Sequence, residues 1–300
     1  MKNISRRSFL KSSALISAGA LASTSVVKGA TEQPLSDERY GVLVDTTLCI
    51  GCRRCEWACK NAHDLPNQSV ETYDDRSVLK TRRRPTNQTL TVVNEYENPR
   101  EPNKPIDVKV QCMHCDKPAC VSACIVSALK KKENGAVVWD GTKCIGCRYC
   151  MVACPFQVPA YDYDKALEPK VKKCDFCYER LLKDKLPACV EICPAEALTF
   201  GKRIDLVVAA RNKIKHYPER YTGYVFGESE VGGTSWLYMA GNDFEKIGFP
   251  KLAKSPAPGV AEAIQHGLFA YFVPPLAIYT LLGGIMWLNK RKKGNAEEEE

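Results

Sequence analysis

Sixteen cysteines dominate the chemistry available to this chain of 300 residues. They form four runs with the spacings C-x2-C-x2-C-x3-C, C-x2-C-x4-C-x3-C, C-x2-C-x2-C-x3-C and C-x2-C-x11-C-x3-C. The runs are Cys49, Cys52, Cys55, Cys59; Cys112, Cys115, Cys120, Cys124; Cys144, Cys147, Cys150, Cys154; and Cys174, Cys177, Cys189, Cys193. In two-cluster ferredoxins, three close cysteines bind one iron–sulfur cluster and the fourth reaches another. One run therefore needs a partner run, and four runs predict four clusters, most simply all [4Fe-4S].

Zinc and disulfide bonds are the alternative uses of so many thiols. Zinc sites combine two C-x2-C pairs across a longer spacer, and only the fourth run resembles that pattern. An enzyme that works on one cluster would need an open coordination position, which a complete set of sixteen ligands does not leave. A zinc-based interaction module and a self-contained enzyme that uses one cluster are therefore two alternative functions for this chain.

The formal net charge of +8 does not by itself indicate a nucleic-acid partner. This sum counts every cysteine as neutral, whereas four loaded clusters with their thiolates would add roughly −8. Five of the basic residues also lie within the first 30 positions. The loaded domain is therefore expected to be mildly acidic, which argues against nucleic-acid binding.

Residues 1–30 have the pattern of a twin-arginine signal peptide. Ser5–Lys11 reads SRRSFLK, and the apolar stretch Ala14–Val27 that follows is short and rich in small residues. A disordered basic start is the alternative. Because this route exports folded proteins, it suits a cofactor inserted before export, and it argues against disulfides because the thiols would already be occupied.

Composition divides the rest of the chain. Residues 40–201 carry all the cysteines, with a cysteine-free insertion at 61–110 in which the alternating pattern of Thr89–Val93 predicts a strand. Residues 202–260 form a cysteine-free extension and linker, in which Ile204–Ile214 has the apolar spacing of an amphipathic helix. Gly232–Tyr238 is expected to contain a short strand.

Residues 267–288 contain no charged side chain and are long enough to cross a bilayer. The basic run Lys290–Lys293 follows at once, so the tail 289–300 is expected to stay in the cytoplasm. The cysteine domain would then lie on the periplasmic side of the inner membrane, anchored by one span. A buried helix of a soluble protein is the alternative.

The core resembles the ferredoxin-type iron–sulfur subunits of membrane respiratory oxidoreductases, and in particular the HybA type of nickel–iron hydrogenase subunit. The resemblance rests on Gln111–Cys115 (QCMHC), Cys147–Pro155 (CRYCMVACP) and Tyr161–Asp164 (YDYD). The twin-arginine start and the single carboxyl-terminal span extend it over nearly the whole chain.

This resemblance implies an α+β fold of two interlocked bacterial two-cluster ferredoxin-like modules and a C-terminal transmembrane helix. It also implies an electron-transfer subunit without a catalytic site, placed between a periplasmic catalytic subunit and a multi-span, quinone-reactive membrane subunit. Nickel–iron hydrogenase is the favoured catalytic partner; the alternative is a formate dehydrogenase or another molybdopterin oxidoreductase.

The family pattern also implies how the runs pair, the first with the fourth and the second with the third. The four ligand sets carried over are Cys49, Cys52, Cys55, Cys193; Cys59, Cys174, Cys177, Cys189; Cys112, Cys115, Cys120, Cys154; and Cys124, Cys144, Cys147, Cys150. Lys60 and Ile125 follow the last cysteines of their runs where proline is common in the family.

Several side chains next to these cysteines have two interpretations. Arg53, Arg148 and Lys173 either raise cluster potentials or are solvated surface charges. His114, between two expected ligands, is interpreted as a structural residue. His266 precedes the apolar segment and is expected at the membrane interface, with a quinone or heme contact as the alternative.

Overall fold

The structure is a computed structural model that describes residues 38–164, 170–258 and 278–288. The predicted signal peptide, His266, the tail 289–300 and much of the apolar segment lie outside the described residues. Residues 278–288 are helical, with exposed apolar side chains such as Ile278 and Leu281. Within the described ranges, no helix has the length and apolarity needed to cross a membrane.

Short strands and short helices alternate along the described chain, which confirms the predicted α+β content. The strands are β1 (Tyr40–Asp45), β2 (Val92–Tyr96), β3 (Ile106–Val110), β4 (Leu129–Lys131), β5 (Val137–Trp139), β6 (Ala160–Tyr161), β7 (Val171–Lys172), β8 (Leu198–Lys202) and β9 (Trp236–Met239). The α-helices in the described part of residues 38–217 are α1 (Arg54–Ala62), α2 (Ala119–Ser122), α3 (Tyr149–Ala153), α4 (Tyr178–Leu181), α5 (Ala188–Glu191) and α6 (Arg203–His216). The 3-10 helices are Val70–Asp74, Arg76–Lys80 and Glu230–Gly232.

The three-stranded sheet joins both ends of the cysteine-rich region. Strand β1 pairs antiparallel with β8, with Val44 opposite Leu198, and parallel with β9, with Val42 opposite Trp236. Because side chains alternate along a strand, Val42 and Val44 enter the main core while Leu43 faces the opposite side. The sheet thereby brings the first and fourth cysteine runs to the same end of the fold.

Three antiparallel hairpins complete the strand pairing. The hairpin β2–β3 comes from the insertion, and β4–β5 and β6–β7 flank the second and third cysteine runs. The strand expected at Thr89–Val93 begins instead at Val92, because the Thr86 amide donates to the Thr89 carbonyl at 2.8 Å and closes a turn there. The strand expected within Gly232–Tyr238 is present as β9.

Helix α6 lies where the sequence predicts an amphipathic helix, but the predicted apolar face is wrong, because Ile204 and Val208 are exposed. Leu206 and Ala210 are buried against Leu43 and Leu237 on one face of the sheet. Asp205 lies in its first turn and Lys213 in its last turn, where their charges complement the helix dipole. The extension after the cysteine runs therefore covers the sheet with α6 and adds the strand β9 to it.

Asp45 at the end of β1 ties this helix to the sheet. Its carboxylate accepts hydrogen bonds from Lys213 Nζ and Tyr221 OH, each at 2.7 Å, and from the Thr47 amide at 3.0 Å. Burial acts to raise the pKa of Asp45, but the hydrogen bonds from Lys213, Thr47 and Tyr221 outweigh it and hold the pKa below its ordinary value.

We expect Asp45→Ala to lower the free energy of unfolding by about 3 kcal/mol, because charged hydrogen bonds are lost and buried donors are left without acceptors. Since the folded pKa is depressed, this contribution is present above pH ~4 and is lost as the pH falls through the folded pKa. Anaerobic urea unfolding at several pH values measures it. The exposed Asp205→Ala is the control, with an expected loss of about 1 kcal/mol or less. A wild-type-like unfolding midpoint for Asp45→Ala would contradict this role.

Candidate metal centres

The four cysteine runs share one feature of backbone conformation. The residue before the second cysteine of each run has a positive φ: 66° at Gly51, 50° at His114, 70° at Gly146 and 67° at Phe176. Such left-handed positions turn successive amide N–H groups toward one side of a loop, which creates a concave site for an anion. The amide of Phe176 already points at the Sγ atom of Cys174, at 3.4 Å.

Gly51 in the first run is required by both its conformation and its surroundings. A Cβ atom there would lie 2.5 Å from the Asp107 carboxylate and 2.2 Å from the Arg76 guanidinium. Arg76 also donates to the Ile50 carbonyl at 2.7 Å and pairs with Asp107 at 3.0 Å. The insertion thus holds the first cysteine loop in place.

The last cysteine of each run is followed by one of two structures. After Cys124, Cys154 and Cys193, the amide three residues on donates back to the cysteine carbonyl, and that third residue has a positive φ. The turn is the same after Ile125 as after Pro155, so the missing proline leaves it intact. Cys59 instead lies inside α1, and Lys60 allows the helix to continue where proline would break it.

The first group of thiols combines two distant runs. Cys49, Cys52 and Cys55 line one cavity together with Cys193, and this cavity encloses about 410 Å³ of empty space, part of it open to solvent. Burial raises the pKa of the Cys49 thiol to about 12, and the neighbouring thiols Cys193 and Cys52 add to that effect.

The second group consists of Cys59, Cys174, Cys177 and Cys189. Burial raises the pKa of the Cys174 thiol well above its ordinary value, and Cys59 and Cys177 raise it further. Burial also raises the pKa of the Cys177 thiol, and Cys189 and Cys59 raise it further. One cysteine of the first run therefore lies among three of the fourth run.

The third group consists of Cys112, Cys115, Cys120 and Cys154, which line a second cavity between the second and third runs. Burial raises the pKa of the Cys120 thiol to about 12, and Cys112 and Cys154 contribute to the rise. Cys154 also accepts hydrogen bonds from backbone amides, including that of Val158, which act to lower its pKa.

The fourth group consists of Cys124, Cys144, Cys147 and Cys150 and includes an exposed cysteine. Burial raises the pKa of the Cys150 thiol to about 11, with further contributions from Cys124, Cys144 and Cys147. Cys147 is exposed, and Cys124 accepts a hydrogen bond on Sγ from the Ala128 amide at 3.2 Å. Ile125 and Val152, with exposed fractions of 70% and 81%, surround this group with apolar surface.

The donor chemistry of these four groups fits iron–sulfur clusters. All sixteen cysteines are free thiols, and each group takes three thiols from one run and one from its partner run. For thiols whose pKa is raised, such as Cys49, Cys120 and Cys150, the neutral form is the stable one without a bound cation, so that metal binding there would release protons. Cys193 lines the cavity of Cys49, Cys52 and Cys55, which argues against a zinc site formed by the fourth run alone.

Of the three basic side chains next to the cysteines, two are buried and one is exposed. Arg148 is exposed, as expected of a surface charge. Lys173 is only 5% exposed and Arg53 only 8%, so neither is a solvated charge. Arg53 pairs with Glu56 at 3.2 Å and lies over the Tyr73 ring. Lys109, 2% exposed, was not indicated by the sequence, because a single lysine in an alternating strand carries no distinguishing signal.

The pKa of His114 is lowered, whereas that of His63 is raised. His114 is fully buried and its Nδ1 atom accepts a hydrogen bond from the Val137 amide at 2.8 Å, while burial lowers its pKa and keeps it neutral. His63 Nε2 lies 2.8 Å from an Asp175 carboxylate oxygen, and its Nδ1 lies 2.8 Å from the Cys59 carbonyl. Burial acts to lower the pKa of His63, but Asp175 overcomes it and raises the pKa to about 11.

No sequence pattern indicated the His63–Asp175 pair, since 112 positions separate the two residues. Ligand atoms of His63, Asp175 and Cys177 lie within 4.8 Å of one another. The pair belongs to the surroundings of the second thiol group rather than to a separate site, because Cys177 is one of that group's members.

Comparison with known proteins identifies relatives along the whole chain. Residues 107–203 match the family described as 4Fe-4S dicluster domain. A protein of Nitratidesulfovibrio vulgaris is 44% identical over 98% of this chain and 80% of its own length. Hydrogenase-2 operon protein HybA of Escherichia coli is 35% identical over 97% of each chain. The iron-sulfur subunit of the nitrate-inducible formate dehydrogenase of Escherichia coli is 28% identical over 86% of this chain and 88% of its own length.

Proposed function

The chain belongs to the family of ferredoxin-type iron–sulfur subunits that includes HybA, and from that membership we propose that it relays electrons through four [4Fe-4S] clusters. The convergence of sixteen thiols into four groups of four carries the proposal. When bound, each cluster would accept and release one electron at a time. The chain's own residues would hold the clusters, shield them from water and set their electrostatic surroundings.

The ligands of each cluster would be the members of one thiol group. Each group combines three cysteines of one run with one cysteine of its partner run. Shared ligation would therefore link the two runs of each ferredoxin-like module. The relatives HybA and the formate dehydrogenase iron-sulfur subunit support a role in iron–sulfur electron transfer. In that role, the chain would have no catalytic site of its own.

The proposed partners are a catalytic oxidoreductase subunit, with nickel–iron hydrogenase favoured, and a multi-span quinone-reactive membrane subunit. The length of the match to HybA favours hydrogenase. The relative from formate dehydrogenase favours a molybdopterin partner as the second candidate. The twin-arginine pattern and residues 267–288 support a periplasmic cluster domain anchored in the inner membrane by one span, with the C-terminus in the cytoplasm.

The cluster count is tested on anaerobically purified full-length protein. We expect about sixteen irons and as many acid-labile sulfides per chain, because four cubanes hold four of each. Zinc without sulfide, or colourless protein with far fewer irons, would refute the proposal and favour a zinc-based module.

The partner is tested with membranes from cells that lack this chain. We expect hydrogen-dependent reduction of a quinone analogue to disappear, while hydrogen-dependent reduction of benzyl viologen, which takes electrons directly from the catalytic subunit, remains. Formate-dependent quinone reduction serves as the control and should be unchanged. Loss of the formate activity with retention of the hydrogen activity would favour the molybdopterin partner instead.

A further inference from the structure

Two buried lysines lie between the thiol groups. Lys109 on β3 lines the cavity of the first group and also interacts electrostatically with Cys189 and Cys174 of the second group. Lys173 lines the cavity of the third group and interacts with Cys174 of the second group as well. Each lysine therefore faces two groups, and the second group is common to both.

Hydrogen bonds hold the Lys109 ammonium in place. Its Nζ atom donates to Thr91 Oγ1 at 2.9 Å and to Gln111 Oε1 at 2.8 Å, and it lies 4.4 Å from the centre of the Trp236 ring. Gln111 Nε2 donates to Tyr238 OH at 2.7 Å, and that hydroxyl donates to the Lys109 carbonyl at 2.8 Å. An amide oxygen and an aromatic face are both suited to a cation.

The Lys173 ammonium is held by backbone carbonyls instead. Its Nζ atom donates to the Val137 carbonyl and, at 3.1 Å, to the Cys174 carbonyl. These contacts connect β5, which lies between the second and third runs, to Cys174, the first cysteine of the fourth run. The position of the charge between the two modules is therefore fixed by main-chain atoms.

Neither ammonium forms an ion pair with a carboxylate in the part of the chain that the structure describes. Other partly buried lysines do have one: Lys213 pairs with Asp45 at 2.7 Å and Lys131 with Asp116 at 3.8 Å. Asp175, which interacts with Lys173 at longer range, is hydrogen-bonded to His63. A buried cation without a counter-anion is unfavourable. Among the described residues, both lysines face thiols of the second group, which would become anionic when a cluster binds.

We propose that Lys109 and Lys173 are fixed counter-cations of the clusters, Lys109 acting on the first and second clusters and Lys173 on the second and third. The inference rests on the proposed cluster ligation. Reduction adds an electron to a cluster, so a nearby fixed positive charge stabilises the reduced state and raises the reduction potential. The second cluster, which lies next to both lysines, would gain most, and the fourth would gain least.

The test is a redox titration of the full-length, cluster-loaded protein followed by electron paramagnetic resonance. Lys109→Met should make reduction of the first and second clusters about tenfold less favourable, a decrease of about 59 mV for a one-electron step. Lys173→Met should do the same to the second and third clusters. The fourth cluster should keep its potential in both variants. Single cysteine variants that each remove one cluster assign the signals.

Matched variants separate charge from packing. Lys109→Arg and Lys173→Arg keep the charge and should retain wild-type potentials, whereas Lys109→Gln and Lys173→Gln remove it with less loss of polar contact and should reproduce the Met shifts. Lys130→Met removes an exposed charge on β4 and should shift no cluster, because solvent screens it.

The crossed pattern of shifts decides the outcome. Unchanged potentials in Met or Gln variants that retain full iron would overturn the role of the lysines alone. An equal shift of all four clusters would overturn it too, because a local charge acts on its neighbours. A wild-type protein without iron–sulfur signals would instead refute the proposed function itself.

Discussion

Replacing Cys59 by alanine should remove one whole cluster, about four of roughly sixteen irons, and it should be the cluster of the fourth run rather than of the first. Cys59 follows Cys55 in α1, but its thiol lies with Cys174, Cys177 and Cys189. A ligation pattern confined to one run would instead cost the cluster held by Cys49, Cys52 and Cys55.

Alkylation of native protein with iodoacetamide, followed by peptide mass spectrometry, shows which cluster is lost. In Cys59→Ala we expect Cys174, Cys177 and Cys189 to become reactive while Cys49, Cys52 and Cys55 stay protected. The matched variant Cys193→Ala should give the reverse pattern. Reactivity of Cys49 in Cys59→Ala, with the fourth run still protected, would disprove the interlocked arrangement.

Replacing Glu56 by alanine should destabilise the fold by about 3–5 kcal/mol, the range for breaking a buried ion pair by removing one partner. Glu56 in α1 is 1% exposed. Its Oε1 atom accepts from Arg83 Nη2 at 2.6 Å and from the Val93 amide at 2.7 Å, and its Oε2 atom accepts from Arg53 at 3.2 Å. Without it, two guanidinium groups and a buried amide lose their acceptor.

Anaerobic urea unfolding followed by circular dichroism measures this loss, and iron content shows whether the first two clusters survive. Glu56→Gln, which keeps the shape but not the charge, should lose less than Glu56→Ala. Glu97→Ala, an exposed position just after β2, should change the free energy of unfolding by about 0.5 kcal/mol or less. A Glu56→Ala protein as stable as this control would show that the arginines find other partners.

The insertion and the extension have a larger part in the candidate site than their composition suggested. Both lack cysteine, and residues 61–110 read as a polar segment inside a metal-binding region. Yet the insertion supplies Lys109, Arg76 and Arg83, and the extension supplies Trp236 and Tyr238 around Lys109. Long-range contacts of this kind leave no local pattern, so only the folded chain reveals them.

The sequence by itself determined the chemistry and the local loop geometry. Cysteine spacing is a local property, and together with the motifs around it, it sufficed to predict the metal-binding runs and the family. Apolar spacing predicted a helix at α6 but not which of its faces is buried. Tertiary structure decided which runs meet, because the pairing of β1 with β8 brings Cys49 and Cys193 to one cavity. It also decided that Lys173 and Glu56 are buried, since burial of a charged residue depends on what packs over it and not on its neighbours in the chain.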